Sequence, residues 1–260
     1  MRNGRVRVFL LRRRAVAAVG ALVLAGAIFW AVSYPAGTPA SAAQRQLPIY
    51  SVEREQKMCS VSFDAAWGNE DTQALIDILG KYNVKATFFV VGDWVDKYPE
   101  SVKALHDAGH EVMNHSLHHD HYNALTADQV VADVTACNEK IAAITGVTPC
   151  LIRCPYGEYD DHVISAIRSM GMEPIQWDVD SLDWKDYDAG TICKRVRDKL
   201  APGSIVLFHN AALHTPEALP SVLEHMIREG YTVVPIGQLI YWENYTIDHT
   251  GRQFPAETAQ

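Results

Sequence analysis

The sequence predicts an α/β fold with a single domain built on a parallel sheet. From residue 58 onward, apolar strand-like runs alternate with segments whose apolar residues recur at helical spacing. About seven strand–helix units follow one another over roughly 185 residues, without an internal repeat or a second core. A composition of 48% hydrophobic and 21% charged residues suits one well-buried core. A doubly wound sheet and a barrel both fit this alternation.

Seven strands are predicted from short apolar, β-rich runs, at residues 58–63, 84–91, 111–114, 149–153, 172–177, 204–208 and 231–234. The helices between and after them are predicted at residues 74–82, 96–108, 127–145, 159–170, 189–200, from 215 onward, and at 236–241. The clearest helix start is a capping box formed by Thr126 and Gln129, and the matching stop is Gly146. Thr215 followed by Pro216 is a second good helix start, because proline is favoured in the first turn.

The first 34 residues predict a membrane anchor. Residues 15–34 carry no charge, and a helix of that length spans about 30 Å, enough to cross a bilayer. Six arginines precede this segment, so we expect the N-terminus to be cytoplasmic and the large C-terminal part to lie outside the cytoplasmic membrane. The alternative is a secreted protein with a cleaved signal peptide, since residues 40–42 resemble a cleavage site.

The predicted organisation has four parts. Residues 1–34 form the basic tail and anchor, or the signal peptide, and residues 35–57 form a linker with three prolines. Residues 58–245 form the folded domain, and residues 246–260 form a tail. Oligomeric state is not encoded in any pattern of the sequence.

Charge and cysteine content narrow the class of protein. Six of the 23 basic residues lie in the N-terminal segment, which leaves 17 against 31 acidic residues in the remainder. Such an acidic body argues against nucleic acid as a partner, because phosphate would be repelled. The five cysteines show no CxxC spacing, and we interpret them as buried free thiols. They are Cys59, Cys137, Cys150, Cys154 and Cys193.

Polar residues that would be unusual in a core follow several predicted strands. Asp64 ends the first strand, and a histidine-rich run that contains His115 and His119 follows the third. The spacing of four would place both imidazoles on one face of a helical turn, and paired imidazoles are typical zinc ligands. Since parallel strands end at one edge of the sheet, these groups are expected to converge there.

Three further strand ends add to this set. Residues 153–157 combine an arginine with a Pro-Tyr-Gly turn that could expose a backbone N–H for an oxyanion. Residues 178–184 place three acids beside an aromatic residue, and Leu207 and His209 end another apolar strand. Together the five segments suit metal-assisted hydrolysis of an amide or an ester.

The order of these motifs, from residue 58 to residue 241, resembles the polysaccharide deacetylases, the NodB-homology group also called carbohydrate esterase family 4. The resemblance implies a distorted (β/α)7-type barrel that removes acetyl groups from N-acetylated glycans with a divalent metal, commonly Zn²⁺. Asp64 matches the family's catalytic base, and Arg153 would orient it. His115 and His119 match the family's metal-binding histidines.

The remaining motifs carry the other expected roles. The N–H of Tyr156 would face the oxyanion, Trp184 would form a pocket wall, and Leu207 would line the acetate pocket. His209 would be the general acid, and Asp180 aligns with the acid that supports it.

One position departs from the family pattern. Where the family has a second aspartate, normally the third metal ligand, this chain has Ala65. Water could fill the gap, or Asn69, Glu70 or Asp71 could substitute. The same variation is similar to a sporulation-associated, membrane-anchored subgroup of these deacetylases. The alternative hypothesis is a glycan-binding or scaffold protein of the cell envelope with little or no activity.

Overall fold

The computed structural model describes residues 45–256. The predicted anchor at residues 15–34 and the cleavage site at residues 40–42 lie outside the described residues. Within residues 45–256, none of the helices combines the length and the hydropathy needed to cross a bilayer. The five cysteines all lie in this range as free thiols, and four are buried while Cys150 is half-buried.

The described strands number eleven and most are short. They are β1 (Ser51–Val52), β2 (Met58–Ala65), β3 (Thr87–Val90), β4 (Glu111–Asn114), β5 (Leu151–Ile152), β6 (Glu173–Pro174), β7 (Val179–Asp180), β8 (Ile205–His209), β9 (Thr232–Val233), β10 (Tyr245–Ile247) and β11 (Arg252–Pro255). The described helices are α1 (Thr72–Lys81), α2 (Gly92–Lys97), α3 (Pro99–Asp107), α4 (Ala127–Thr145), α5 (Asp161–Ser169), α6 (Ala189–Lys199), α7 (Thr215–Arg228) and α8 (Ile236–Leu239).

Eight of the strands form one parallel sheet. Its order is β6-β5-β4-β3-β2-β8-β7, and β9 pairs with the start of β2. Among the described strands, β6 and β7 do not pair with each other, so the sheet is an open half-barrel. The prediction of a parallel α/β domain is confirmed, and the predicted distorted (β/α)7-type barrel is an open half-barrel. The predicted strands at 149–153 and 172–177 are only two residues each, Leu151–Ile152 and Glu173–Pro174.

Side chains of the long central strand β2 point alternately to the two faces of the sheet. Phe63 stacks on Phe88 and Phe208 of the neighbouring strands, with ring centroids 4.7 and 5.6 Å apart, and these rings belong to the larger of the apolar clusters. Side chains alternate along a strand, so Ser62 and Asp64 point to the opposite, inner face. The apolar run therefore fixes which face receives the carboxylate.

The helices follow the sequence signals with one correction. The capping box of Thr126 and Gln129 is confirmed in both directions, and α4 ends at Gly146 with φ of 73°. The predicted helix at 96–108 is instead two helices, α2 and α3. They break at Tyr98, with φ −132° and ψ 53°, because Pro99 disfavours helical conformation in the residue before it.

The ends of the domain were placed wrongly by the sequence. In the predicted linker, Ile49 and Val52 are fully buried, and β1 pairs with β11 from the predicted tail. The strands β1, β11 and β10 form a separate three-stranded sheet. The described part of the linker and of the tail therefore belongs to the folded domain.

Candidate active site

A cavity of about 460 Å³ opens at the C-terminal ends of the central strands. This volume lies within the range of small-ligand sites. It is lined by Asp64, Trp67, His115, His119, Tyr156, Gly157, Trp177, Asp180, Trp184, Leu207 and His209. The structure thus brings together residues from all five segments singled out in the sequence.

Strand register places the two main titratable groups side by side. In the parallel pairing of β2 with β8, Asp64 is the Cα partner of His209, and Ser62 is the partner of Leu207. All four side chains belong to alternate positions that face the inner side of the sheet. The cavity floor is therefore set by backbone pairing rather than by flexible loops.

Asp64 is held by a buried guanidinium. Arg153 donates from Nη1 to Asp64 Oδ1 at 2.7 Å and from Nη2 to Ser62 Oγ at 2.9 Å, and its side chain is fully buried. Burial opposes ionisation of Asp64, but the positive charge and hydrogen bond of Arg153 outweigh it and lower the carboxyl pKa. Asp64 is therefore ionised at neutral pH. Its Oδ2 lies 3.6 Å from His115 Nε2, beyond a normal hydrogen bond.

His115 and His119 meet at the cavity with ring centroids 5.0 Å apart. His115 Nδ1 donates to the carbonyl of Arg153 at 2.8 Å, which leaves the Nε2 lone pair for the cavity. Burial lowers the pKa of His115, and it lowers that of His119 to about 4. Both rings are therefore neutral at pH 7, the form that binds metal ions.

The predicted helical turn between the two histidines is wrong. The segment is a loop with left-handed backbone at Ser116 and His119, with φ of 73° and 62°. Asn114 Oδ1 accepts from the N–H of Ser116, and Ser116 Oγ accepts from the N–H of His119. These side-chain bonds replace the helical ladder and still bring the rings together.

Asp183, not Asp180, supports His209. The two oxygens of Asp183 accept from His209 Nδ1 and from His209 N, both at 2.8 Å, and Asp183 is fully buried. Burial lowers the histidine pKa, but the hydrogen bond and charge of Asp183, with Asp64 and Asp180, outweigh it and raise it. Thr215 Oγ1 donates to Asp183 at 2.6 Å and fixes the carboxylate.

The correction has a local backbone cause. β7 ends at Asp180, whose Oδ1 accepts from the N–H of Leu182 and so closes a tight turn. Leu182 has φ of 54°, and the 3₁₀ turn Asp183–Lys185 then carries Asp183 against the end of β8. Asp180 still lines the cavity. The sequence alone could not distinguish Asp180 from Asp183, because both are acids of one loop.

The Pro-Tyr-Gly segment forms the predicted tight turn. Pro155–Gly157 is a 3₁₀ turn in which Tyr156 has φ of 58° and its side chain is exposed at the cavity. The ring of Tyr156 stacks on His121 at 4.2 Å and meets His119 edge-on at 4.5 Å. The role of the Tyr156 N–H as an oxyanion donor stays a prediction.

The residues suggested as substitute metal ligands do not line the cavity. Asn69 donates to Ser101 Oγ, Asp71 Oδ2 accepts from the N–H of Ala211, and Glu70 folds back against Gly68. Each side chain is therefore turned to a partner outside the cavity.

The donor set does not fit a metal centre closed by three protein ligands. Ala65 offers only a buried methyl group, which cannot bind a metal ion. Within residues 45–256 no group of three His, Cys, Asp or Glu side chains is arranged to hold a metal ion. Two neutral imidazoles remain, with Asp64 beside them. We therefore assign no chemical step to a metal.

Sequence reasoning missed two residues besides Asp183. Trp177 and Trp67 both line the cavity, and Trp67 is 58% exposed directly after β2. A large aromatic residue in the polar break that follows a strand is the signal that could have identified Trp67.

A parallel half-barrel with a strand-end carboxylate, paired imidazoles and an Asp–His pair defines a class of hydrolase site. The family model described as "Polysaccharide deacetylase" matches residues 51–175. The chain is 30% identical to the peptidoglycan-N-acetylmuramic acid deacetylase PdaA of Bacillus subtilis, over 74% of this chain and 75% of PdaA. The chain belongs to the polysaccharide deacetylase family.

Two other similar proteins are a deacetylase and a pseudoenzyme. The chain is 33% identical to the peptidoglycan-N-acetylmuramic acid deacetylase PdaC of B. subtilis, over 73% of this chain but only 40% of PdaC. A solved structure of a CE4 family pseudoenzyme from Bacillus anthracis is 35% identical, with a TM-score of 0.72, covering 74% of this chain and 68% of that chain. The structure of a mutant of that pseudoenzyme is described as having restored enzymatic activity.

Proposed function

We propose that this chain hydrolyses N-acetyl groups on a glycan of the cell envelope, of the peptidoglycan or chitooligosaccharide type. The observation that carries the proposal is the pairing on one cavity floor of an ionised Asp64 with His209, whose pKa is raised by the hydrogen bond and charge of Asp183. One group is ready to accept a proton and the other is ready to donate one, which amide hydrolysis requires. The deacetylases among the similar proteins support the substrate class.

The chain's own residues account for the proton transfers. Asp64, fixed by Arg153, takes a proton from a water molecule that attacks the acetamide carbon. The N–H of Tyr156 donates to the oxygen of the tetrahedral intermediate. His209, held charged by Asp183, donates its proton to the nitrogen as the C–N bond breaks, which yields acetate and a free amine.

A divalent ion would use His115 and His119 as its protein ligands, and Zn²⁺ is the first candidate. Imidazole nitrogen is a common zinc ligand, and both rings are neutral. Because one charged ligand is missing, we expect weaker zinc binding than in a site with a third protein ligand.

A second candidate function is glycan binding without turnover. It is favoured by Ala65 and by the similarity to a pseudoenzyme. Zinc affinity and acetate release together distinguish the two candidates.

The test compares the wild-type chain with Ala65→Asp and Ala66→Asp. Acetate release is measured from an N-acetylglucosamine tetramer and from muramidase-digested peptidoglycan, while zinc is titrated calorimetrically. We expect slow acetate release by the wild type, which is followed with and without added zinc. We expect Ala65→Asp to bind zinc about tenfold to a hundredfold more tightly, and the matched Ala66→Asp to show no gain.

Each outcome decides between the candidates. Glycan binding by the wild type without acetate release at saturating zinc contradicts hydrolysis and supports the binding protein. Because Ala65 is buried, thermal unfolding of Ala65→Asp with and without zinc checks that it folds.

The location of the protein is also a proposal. The uncharged segment at residues 15–34 and the arginines before it support a single-pass anchor with the catalytic domain outside the cytoplasmic membrane. Release of the domain after cleavage near residues 40–42 is the alternative. Membrane fractionation with N-terminal sequencing distinguishes the anchored form from the released form. Measuring expression during sporulation tests the resemblance to the sporulation-associated subgroup.

A further inference from the structure

Trp67 is an exposed indole on an anchored loop. The N–H of Ala66 donates to Asn210 Oδ1 at 3.2 Å, and the carbonyl of Gly68 accepts from Trp94 Nε1 at 2.9 Å and from Asn210 Nδ2. Asn210 is itself buried. The backbone on both sides of Trp67 is therefore fixed, while 58% of the residue remains exposed to solvent.

The indole lies across the mouth of the cavity. Its centroid is 6.2 Å from the ring of His119 and 6.4 Å from that of His209, so it lies close to both histidines of the cavity. Tyr156 and Trp184, 58% and 53% exposed, line the same cavity. Three exposed aromatic residues around one cavity leave much apolar surface in water, an arrangement typical of a binding site.

The charges of the cavity indicate what this surface binds. The lining residues include two carboxylates, Asp64 and Asp180, and contain no lysine or arginine. A neutral ring with a flat apolar face and a polar edge fits both the aromatic rim and the polar floor.

We propose that Trp67 is a substrate-positioning residue that stacks on the apolar face of a pyranose ring. The stack holds the ring so that its acetamido group lies between Asp64 and His209. The inference rests on the proposed function for its choice of a glycan. It assigns to Trp67 a positioning role that is separate from proton transfer.

The test measures binding of the N-acetylglucosamine tetramer by calorimetry in an Asp64→Asn background, which prevents turnover. Trp67→Ala is expected to bind roughly tenfold more weakly, and Trp67→Phe to recover most of the loss. Trp242→Ala is the matched control, because Trp242 is 44% exposed and does not line the cavity. We expect it to bind like the parent. Thermal unfolding of Trp67→Ala should be unchanged, since the side chain is mostly exposed.

Binding by Trp67→Ala equal to the parent, or an equal loss in Trp242→Ala, overturns the proposal, as does a parent that does not bind the tetramer. The proposed hydrolysis fails separately. If Trp67 matters for binding but the wild type releases no acetate, the stacking role stands and hydrolysis fails. If the wild type releases acetate and Trp67→Ala, with Asp64 intact, keeps the same KM and kcat, hydrolysis stands and the stacking role fails.

Discussion

At the scale of single residues, two buried charge pairs set the protonation of the site. Arg153 favours the ionised form of Asp64, and Asp183 favours the charged form of His209. The sequence identified the base, its arginine and the histidine, because each ends a strand or follows one directly. It could not identify Asp183, whose position depends on the left-handed turn at Leu182.

The pH profile of acetate release should be bell-shaped. Asp64 must be ionised and its pKa is lowered, so the acid limb is expected below the ordinary range of a carboxyl group. His209 must be protonated and its pKa is raised, so the alkaline limb is expected above about pH 6.5. The His209–Asp183 pair also stabilises the folded state. Its contribution to the free energy of unfolding is fully present below about pH 6.5 and is lost as the pH rises through the raised pKa of His209.

Replacing one acid tests the assignment of the pair. Asp183→Asn removes the charge beside His209, so its pKa should fall and the alkaline limb should move to lower pH. Asp180→Asn is the matched control and should move that limb less, because Asp180 makes no hydrogen bond to the ring. A larger shift in Asp180→Asn than in Asp183→Asn would show that the sequence-based choice of Asp180 was right.

At the scale of elements, local signals predicted helices better than strands. The capping box and Gly146 predicted α4 closely, because both act within one turn of the helix. The two-residue strands β5 and β6 were overestimated, since strand length depends on partners that are distant in sequence. The loop of His115 and His119 escaped prediction for a similar reason, since side-chain bonds from Asn114 and Ser116 shape it.

The capping box predicts a stability difference between two threonines of the same region. Thr126→Ala removes the acceptor for the Gln129 N–H and should lower the free energy of unfolding by about 1 kcal/mol. Thr135→Ala, within α4, removes only a bond to the Val131 carbonyl and should change stability by no more than about 0.5 kcal/mol. Urea denaturation measures both, and equal effects would argue against the cap.

At the scale of the whole molecule, the two ends of the described chain close the domain. β1 pairs with β11 about two hundred residues later, and Gln253 of β11 is fully buried. Gln253 accepts from the N–H of Tyr241 and donates to its carbonyl at 2.8 and 2.6 Å. The ends of the chain are polar and rich in proline, so no local sequence pattern predicted this pairing. The alternation of strands and helices, in contrast, predicted the parallel sheet.

Gln253→Ala tests this closure. The change leaves two backbone groups of Tyr241 without their partner and should cost about 1–3 kcal/mol of unfolding free energy. Gln73→Ala is the control, because Gln73 is exposed on α1 and its side chain donates to Asp77 four residues later on the same helix. A loss in Gln253→Ala no larger than in the control would show that the chain ends contribute little to stability.

The most direct test of the account compares acetate release by the wild-type chain and by Asp64→Asn. The substrate is an N-acetylglucosamine tetramer with zinc present. If Asp64 is the base, Asp64→Asn should lower kcat at least about a hundredfold while binding of the tetramer persists. Circular dichroism checks the fold of the variant, since Arg153 loses its charged partner. An unchanged rate in a folded Asp64→Asn variant would contradict the account.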